Sequence, residues 1–513
     1  MLQDRRTVTI LALGLCLVYI AVRLWRLTDS CLWFDEIFSV HAAEHPWNSL
    51  FRFVAEDLIH PPLFYIVLKM WVGAGGESLM WLRLLPVLFS ALALVPFIYL
   101  CKELKLRNPV MLLSLAFLAV NGSLIKYTQT LRMYSMLMFL SLLSIWLFAR
   151  YFNRGKSFLP LLIVNLLLVY THYFGWLVVA TEIVAILVFQ RIKWRRMLAM
   201  MGIVLAAFLP WAVTVWQAAR SGSDVGQNIS WMTRPGIREM IAFLFDLTEP
   251  FYFQASNAEP ASIYRVSVPV LLILLSAFVI YLINFGSDDN KQRVYFLSLF
   301  VAIPAAVAFL VSWLSPYSVW GTRHLIVIYA PAAILLAYFL NCIPMSGIRT
   351  AAVTLLLLLS GYAFYSQAMR ATPRYVWCEW ENVANEIKNK EADAPGMTKI
   401  YAFENLVAYH LWFALRDSDR YQVQVVKGVD VRTDDETYFL PRGFDEVKNA
   451  SLEEIGEDEI WLAFRTSVDG EDGPLVQNFT KLGYEPCPRS GVKYDTTTVY
   501  WMKMIKRPLV CSK

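Results

Sequence analysis

The sequence predicts a polytopic α-helical membrane protein of about eleven transmembrane helices followed by a carboxy-terminal extracytoplasmic α/β domain. Three observations predict it. Of 513 residues, 57% are hydrophobic and 17% charged, with a mean hydropathy of +0.47; a soluble chain carries about 25% charged residues. The apolar residues fall in runs, many of roughly 17–23, the length that crosses a bilayer. These runs stop near Met369, and beyond Arg370 the composition is that of a soluble domain.

The first span is 7–27. Its basic flanks and the lack of a small-residue cleavage site mark it as a retained helix, not a removed signal peptide. Next comes an amphipathic segment around Trp47, Leu50, Phe51 and Val54, suited to lie in the membrane interface. Residues 60–72 open with two prolines and end at Gly73, Gly75 and Gly76, too short for a full span; counting them gives an alternative of twelve. The remaining spans are 79–100, 109–120, 134–149, 158–170, 174–189, 197–216, 266–285, 294–314, 325–340 and 350–369.

Lysine and arginine set the orientation. Arg5 and Arg6, Lys102 to Arg107, Arg150 to Lys156, Arg191 to Arg196, Lys291 with Arg293, and Arg349 fall in alternate connections and mark the cytoplasmic side. This is a topology signal, so the net charge of +5 implies no nucleic acid. The expected organisation is a membrane module, 1–370, with outer loops 28–78 and 217–263, and an outer domain, 371–513. The amino terminus is cytoplasmic. The outer side is the periplasm or exterior of a bacterium, or a lumen in a eukaryote; the bacterial inner membrane is the expected location.

The tail reads as one layered α/β domain, with helices at 380–390 and 405–415 and strands at 399–403, 421–426, 437–440, 459–464 and 498–505. Cys16, Cys101 and Cys342 lie in or beside spans. Cys31, Cys378, Cys487 and Cys511 fall outside the cytoplasm, where a disulfide among them is open in its pairing. The chain has no internal repeat and no glycine-rich phosphate loop.

An enzyme acting on a lipid carries its reactive groups at the water interface, so the outer loop–helix junctions hold the candidates. Asp35 and Glu36 form an acidic pair among large apolar residues, which desolvate a carboxylate and raise its proton affinity, as a general base requires; the plainer reading is a solvated pair. His60 precedes Pro61 and Pro62 at a helix start, where free amides favour an anion, or it caps that helix. Lys126, Gln129, Arg132 and Tyr134 place cations on the side the topology rule does not favour. His172 sits in the tight turn Thr171-His172-Tyr173-Phe174-Gly175, and Arg323 and His324 begin a late span. A lipid phosphate is the natural partner of these cations; snorkelling side chains are the alternative.

These motifs occur together and in order: the acidic pair, His-Pro-Pro-Leu, Gln-x-x-Arg-x-Tyr, Thr-His-Tyr-Phe-Gly and Arg-His. The set resembles the GT-C superfamily of polytopic glycosyltransferases, in particular the bacterial relatives of dolichyl-phosphate-mannose protein mannosyltransferases in glycosyltransferase family 39. The first loop is also similar to that of lipid A aminoarabinose transferases. The resemblance implies sugar transfer, with inversion, from a polyprenyl-phosphate donor to an acceptor hydroxyl on a protein, lipid or glycan. It implies Asp35 as general base, Glu36 as assistant or metal ligand and His60 near the acid. Arg132, Tyr134 and Arg323 would hold the phosphate, with Lys126, His172 and His324 beside them. A divalent metal, if used, would draw on Glu36 and His60. The aminoarabinose branch has Lys at the position of His60 and Glu before it; here that residue is Ile59, which puts a metal site of that kind in doubt. A lipid-linked sugar or solute transporter is the competing class. It expects charge near the bilayer midplane, and Glu182 is the exception among spans otherwise nearly free of charge.

Overall fold

An apolar run in lipid must satisfy its own backbone polar groups, and a helix does so within one segment. In the computed structural model, which describes residues 4–189, 193–220, 226–251, 263–284, 291–370, 375–427, 429, 438–466, 474–494, 497–506 and 511, the chain accordingly runs as successive helices. They are α1 (Arg5–Leu24), α2 (Phe34–Glu44), α3 (Trp47–Asp57), α4 (Leu63–Gly75), α5 (Leu79–Glu103), α6 (Asn108–Val120), α7 (Gly122–Gln129), α8 (Tyr134–Arg154), α9 (Phe158–Thr171), α10 (Gly175–Phe189), α11 (Trp194–Arg220), α12 (Gly226–Ile229), α13 (Ile237–Thr248), α14 (Tyr264–Ile283), α15 (Lys291–Leu314), α16 (Tyr329–Asn341) and α17 (Ser346–Ala368). Parts of the expected outer loop, 221–225 and 252–262, lie outside the described residues.

The chain divides into two compact units. The first holds residues 4–29 and the described part of 42–371; the second holds 30–41 and the described part of 372–513, so the boundary falls inside α2.

In the first unit, among the described residues, eight helices are long and apolar enough to cross a membrane: α1, α5, α8, α11, α14, α15, the segment His324–Asn341 that contains α16, and α17. Leu17, Leu209, Leu282 and Leu358 stay exposed, as lipid-facing side chains do. Three other expected spans are shorter: α6, α9 and α10 have 13, 14 and 15 residues. A 13-residue helix rises about 20 Å, less than a hydrocarbon core of about 30 Å. Asn121 interrupts the first of them. Its side-chain oxygen accepts the Leu124 N–H at 2.9 Å and starts α7, so the chain continues as a second helix. The interfacial helix expected from Trp47 to Val54 is α3, with Leu50, Phe53 and Val54 buried and Trp47 and Phe51 exposed.

In the second unit, α18 (Glu379–Lys390), α19 (Asn405–Leu415) and α20 (Pro474–Lys481) accompany a seven-stranded mixed sheet. Its strands are β1 (Thr398–Ala402), β2 (Tyr421–Val426), β3 (Lys448–Ala450), β4 (Glu459–Thr466), β5 (Tyr484–Pro486), β6 (Ser490–Lys493) and β7 (Thr498–Lys506). The order is β3-β2-β1-β4-β7-β5, with β6 also on β7; β1 to β4 run parallel and β7 is antiparallel to β4. Tyr401, Leu462, Phe479, Tyr484 and Met504 pack in one core. Of the expected strand at 437–440, Thr437 lies outside the described residues and 438–440 form no strand. The unexpected strands β3, β5 and β6 have three or four residues, too few for an alternating pattern to stand out. Two disulfides, Cys31–Cys378 and Cys487–Cys511, lie in this unit, while among the described residues Cys16 and Cys101 are free thiols.

Candidate active site

Three junctions of the first unit converge. The first is the reversal between α3 and α4. Leu58 adopts a left-handed backbone, φ 63°, and turns the chain, and the prolines then start α4. His60 is buried there, with Nδ1 3.1 Å from Asp57 Oδ2. Asp57 also accepts from the Asn228 side chain at 3.0 Å.

The second junction joins α7 to α8. Arg132 is 4% exposed, and its guanidinium lies 3.4 and 3.5 Å from the two ring nitrogens of His60 and 3.5 Å from the Tyr65 hydroxyl. Tyr134 begins α8, with its ring centroid 5.4 Å from Tyr127 and 6.5 Å from His172. Lys126 stands over Tyr127 at 5.5 Å.

The third is the turn between α9 and α10. Gly175 allows α10 to begin hard against α9: a Cβ there would lie 2.6 Å from the Leu168 carbonyl oxygen. His172 is 3% exposed, and its ring lies 5.5 Å from His60 and 5.6 Å from His324. Phe174 N–H donates to His172 Nδ1 at 3.1 Å, which places the proton of the neutral ring on Nε2. That buried Nε2 has no hydrogen-bond partner among the described residues. Burial, with His60, Arg132 and Arg323 nearby, holds the His172 pKa well below its ordinary value, so the ring is a neutral donor.

His324 follows Gly321, packs on Phe174 at 5.3 Å and approaches the Val319 carbonyl with Nδ1 at 3.3 Å. Arg323 lies over Trp231 at 4.8 Å, and the preceding Thr322 donates to Asp246. Thus His60, Arg132, Tyr134, His172 and His324, far apart in sequence, meet in one buried cluster, with Lys126 and Arg323 at its edge.

Asp35 and Glu36 lie in the second unit. Glu36, 2% exposed, accepts the Trp33 N–H at 2.8 Å and so caps α2. Asp35 is half-buried in the same turn, and its carbonyl accepts from the Ser39 hydroxyl at 3.0 Å. Sequence reading missed Asp57, Tyr65, Trp231 and Asp246. An acid three residues before His60 was a usable signal for the first; the others touch the cluster only through folding.

Two guanidiniums and three imidazoles suit an anion with several oxygens. Among the described residues no group of three or more His, Cys, Asp or Glu could hold a metal ion. The guanidiniums beside the imidazoles make the cluster a poor fit for a divalent cation. Glu182 of α10 stands apart, fully buried, with Ser144 Oγ 2.6 Å from one carboxyl oxygen and Asn165 Nδ2 2.7 Å from the other. This network ties α8, α9 and α10 together.

No protein-family model and no curated protein matches the chain by sequence. Solved structures do. The apo crystal structure of ArnT from Cupriavidus metallidurans matches with a TM-score of 0.56 and 10% identity, covering 96% of this chain and 97% of that one. The structure of ArnT from the same organism bound to undecaprenyl phosphate matches at 0.55 and 13%, covering 99% and 100%. An Archaeoglobus fulgidus oligosaccharyltransferase matches at 0.46 and 12%, covering 79% of this chain and 63% of that one, less than two thirds of its length. At these identities the likeness is one of fold: this chain shares the fold of the ArnT structures over nearly its whole length.

Proposed function

We propose that the protein is a membrane glycosyltransferase that moves a sugar from a polyprenyl-phosphate donor to an acceptor hydroxyl on the extracytoplasmic side. The observation that carries the reading is the buried cluster of Arg132, His60, His172 and His324, with Arg323 beside it. A polyprenyl phosphate brings several anionic oxygens to such a site, and ArnT, which shares this fold, has been crystallised with undecaprenyl phosphate. The outer location is supported by the lysine and arginine bias, which favours a cytoplasmic amino terminus, and a bacterial inner membrane is the proposed setting.

The acceptor oxygen attacks the anomeric carbon, its proton passes to Asp35, and the carbon–oxygen bond to phosphate breaks with inversion. The donor phosphodiester carries one negative charge and the departing polyprenyl phosphate carries two. Arg132 and Arg323 therefore stabilise the transition state more than the ground state, and the His172 Nε2–H supplies a neutral donor. The role of Asp35 is carried over from the family resemblance, and that of the cations from their clustering.

The test is transfer of labelled sugar from a panel of undecaprenyl-phosphate-linked hexoses and aminoarabinose to envelope extracts by the purified protein. Asp35→Asn should abolish transfer and leave undecaprenyl phosphate binding intact; retained transfer rejects the base. The competing transporter reading draws on Glu182, and net movement of the labelled lipid across proteoliposomes without covalent transfer would favour it.

A further inference from the structure

The part of α2 that carries Asp35 belongs to the second unit. α2 has 11 residues, too few to be stable alone, so its geometry comes from what holds it. Cys31, three residues before its start, is bridged to Cys378 across 347 residues of sequence. Trp33 meets Trp377 at 4.5 Å and Tyr438 at 5.5 Å. Phe34 packs on Tyr409 at 5.1 Å and on Tyr438 at 5.2 Å. Two turns on, His41 Nδ1 lies 2.9 Å from the Tyr409 hydroxyl, with its ring 4.7 Å from Trp412 and 5.0 Å from Phe444. Asp35 thus lies between two anchors on the tail domain, a covalent one before it and a buried histidine after it.

We propose that the carboxy-terminal domain is the positioning element for Asp35, acting through Cys31, Cys378, His41 and Tyr409. The inference rests on the proposed role of Asp35 as general base. A base displaced by about 1 Å loses on the order of 100-fold in rate. A bridge that closes so long a loop removes much of the freedom of the segment before α2. The domain then serves the chemistry directly, whether or not it also meets the acceptor. The second disulfide, Cys487–Cys511, closes a separation of only 24 residues beside β5 and β7, which makes it an internal control.

The experiment uses the full-length protein in detergent. Turnover is read with whichever undecaprenyl-phosphate-linked sugar of the panel the wild type uses, and binding with undecaprenyl phosphate alone. Cys31→Ser with Cys378→Ser should lower kcat about 10- to 100-fold, with donor KM and undecaprenyl phosphate binding unchanged. Tyr409→Phe, which keeps the ring and removes the hydroxyl, should lower kcat by a smaller factor with the same split. Cys487→Ser with Cys511→Ser should match the wild type. If the Cys31/Cys378 variant does not fold, the bridge is opened in folded Cys487→Ser/Cys511→Ser protein with a phosphine, and alkylation of both sulfurs is confirmed by mass spectrometry. Unchanged kcat after loss of the bridge, or a fall in phosphate binding equal to the fall in kcat, overturns the inference; loss of transfer in Asp35→Asn then still supports the function. Wild-type rates in Asp35→Asn, or no turnover of any donor, overturn both.

Discussion

Arg132 and His60 lie 72 residues apart in sequence, yet the Arg132 guanidinium sits 3.4 Å from His60 Nδ1 and both are buried. Two basic groups at this distance repel when both are charged, and Asp57, 3.1 Å from the same nitrogen, offsets that cost. An incoming phosphate offsets it further. Arg132→Lys keeps the charge and loses the planar fork, so undecaprenyl phosphate binding should weaken at least about tenfold. Titration of the purified variant with undecaprenyl phosphate checks it; wild-type affinity would remove Arg132 from the phosphate site.

Gly175→Ala should disturb the cluster without touching a charge. The new Cβ would meet the Leu168 carbonyl 2.6 Å away, a backbone atom that cannot swing aside. α10 must shift, and His172 shifts with the turn. Loss of about 1–3 kcal/mol of stability, together with weaker undecaprenyl phosphate binding, is the expected outcome, read by thermal unfolding and titration.

Glu182→Ala should destabilise the membrane unit. It strands the buried Asn165 amide N–H, which donates to the carboxyl group, and leaves Ser144 only its bond to the Asn165 side-chain oxygen. Unpaired buried polar groups cost about 1–3 kcal/mol each. Glu182→Gln keeps one acceptor oxygen for this network and should cost less. Transfer per folded molecule should survive in Glu182→Gln, and proteoliposome assays would report the contrary.

The tail domain should weaken in mild acid. His410 is buried in α19; its Nδ1 lies 2.8 Å from the Leu406 carbonyl, and Nε2 has no partner among the described residues. Burial pushes its pKa down to about 4, below the ordinary value of 6.5. The unfolded chain therefore takes up the proton first as pH falls. The His410 contribution is fully present above about pH 6.5 and is lost between 6.5 and 4, about 3 kcal/mol in all. Hydrogen exchange of α19 in the full-length protein should accelerate over that window, and His410→Met should flatten the response.

Most of the helical architecture was legible in the sequence. Bilayer thickness sets a minimum apolar length, and a run of leucines and valines reports that constraint locally. The tail was legible in part. β1, β2, β4 and β7 show strand patterns, whereas β3, β5 and β6 are too short and are held by their neighbours. The site residues could be nominated one junction at a time, because histidine and arginine at the ends of apolar helices need a reason to be there. Glu36 shows the limit of that reasoning. Its residue type fits a catalytic partner, and its geometry is that of a helix cap.

By itself, the sequence determined which windows form apolar helices and which junctions between them carry charge, because these follow from the composition of short windows. Only the tertiary structure decided that His60, Arg132, His172 and His324 meet, that Cys31 pairs with Cys378, and that Asp35 rides on the tail domain. Such meetings depend on closing loops of tens to hundreds of residues. That free energy is set by the packing of whole helices, and no local window encodes it.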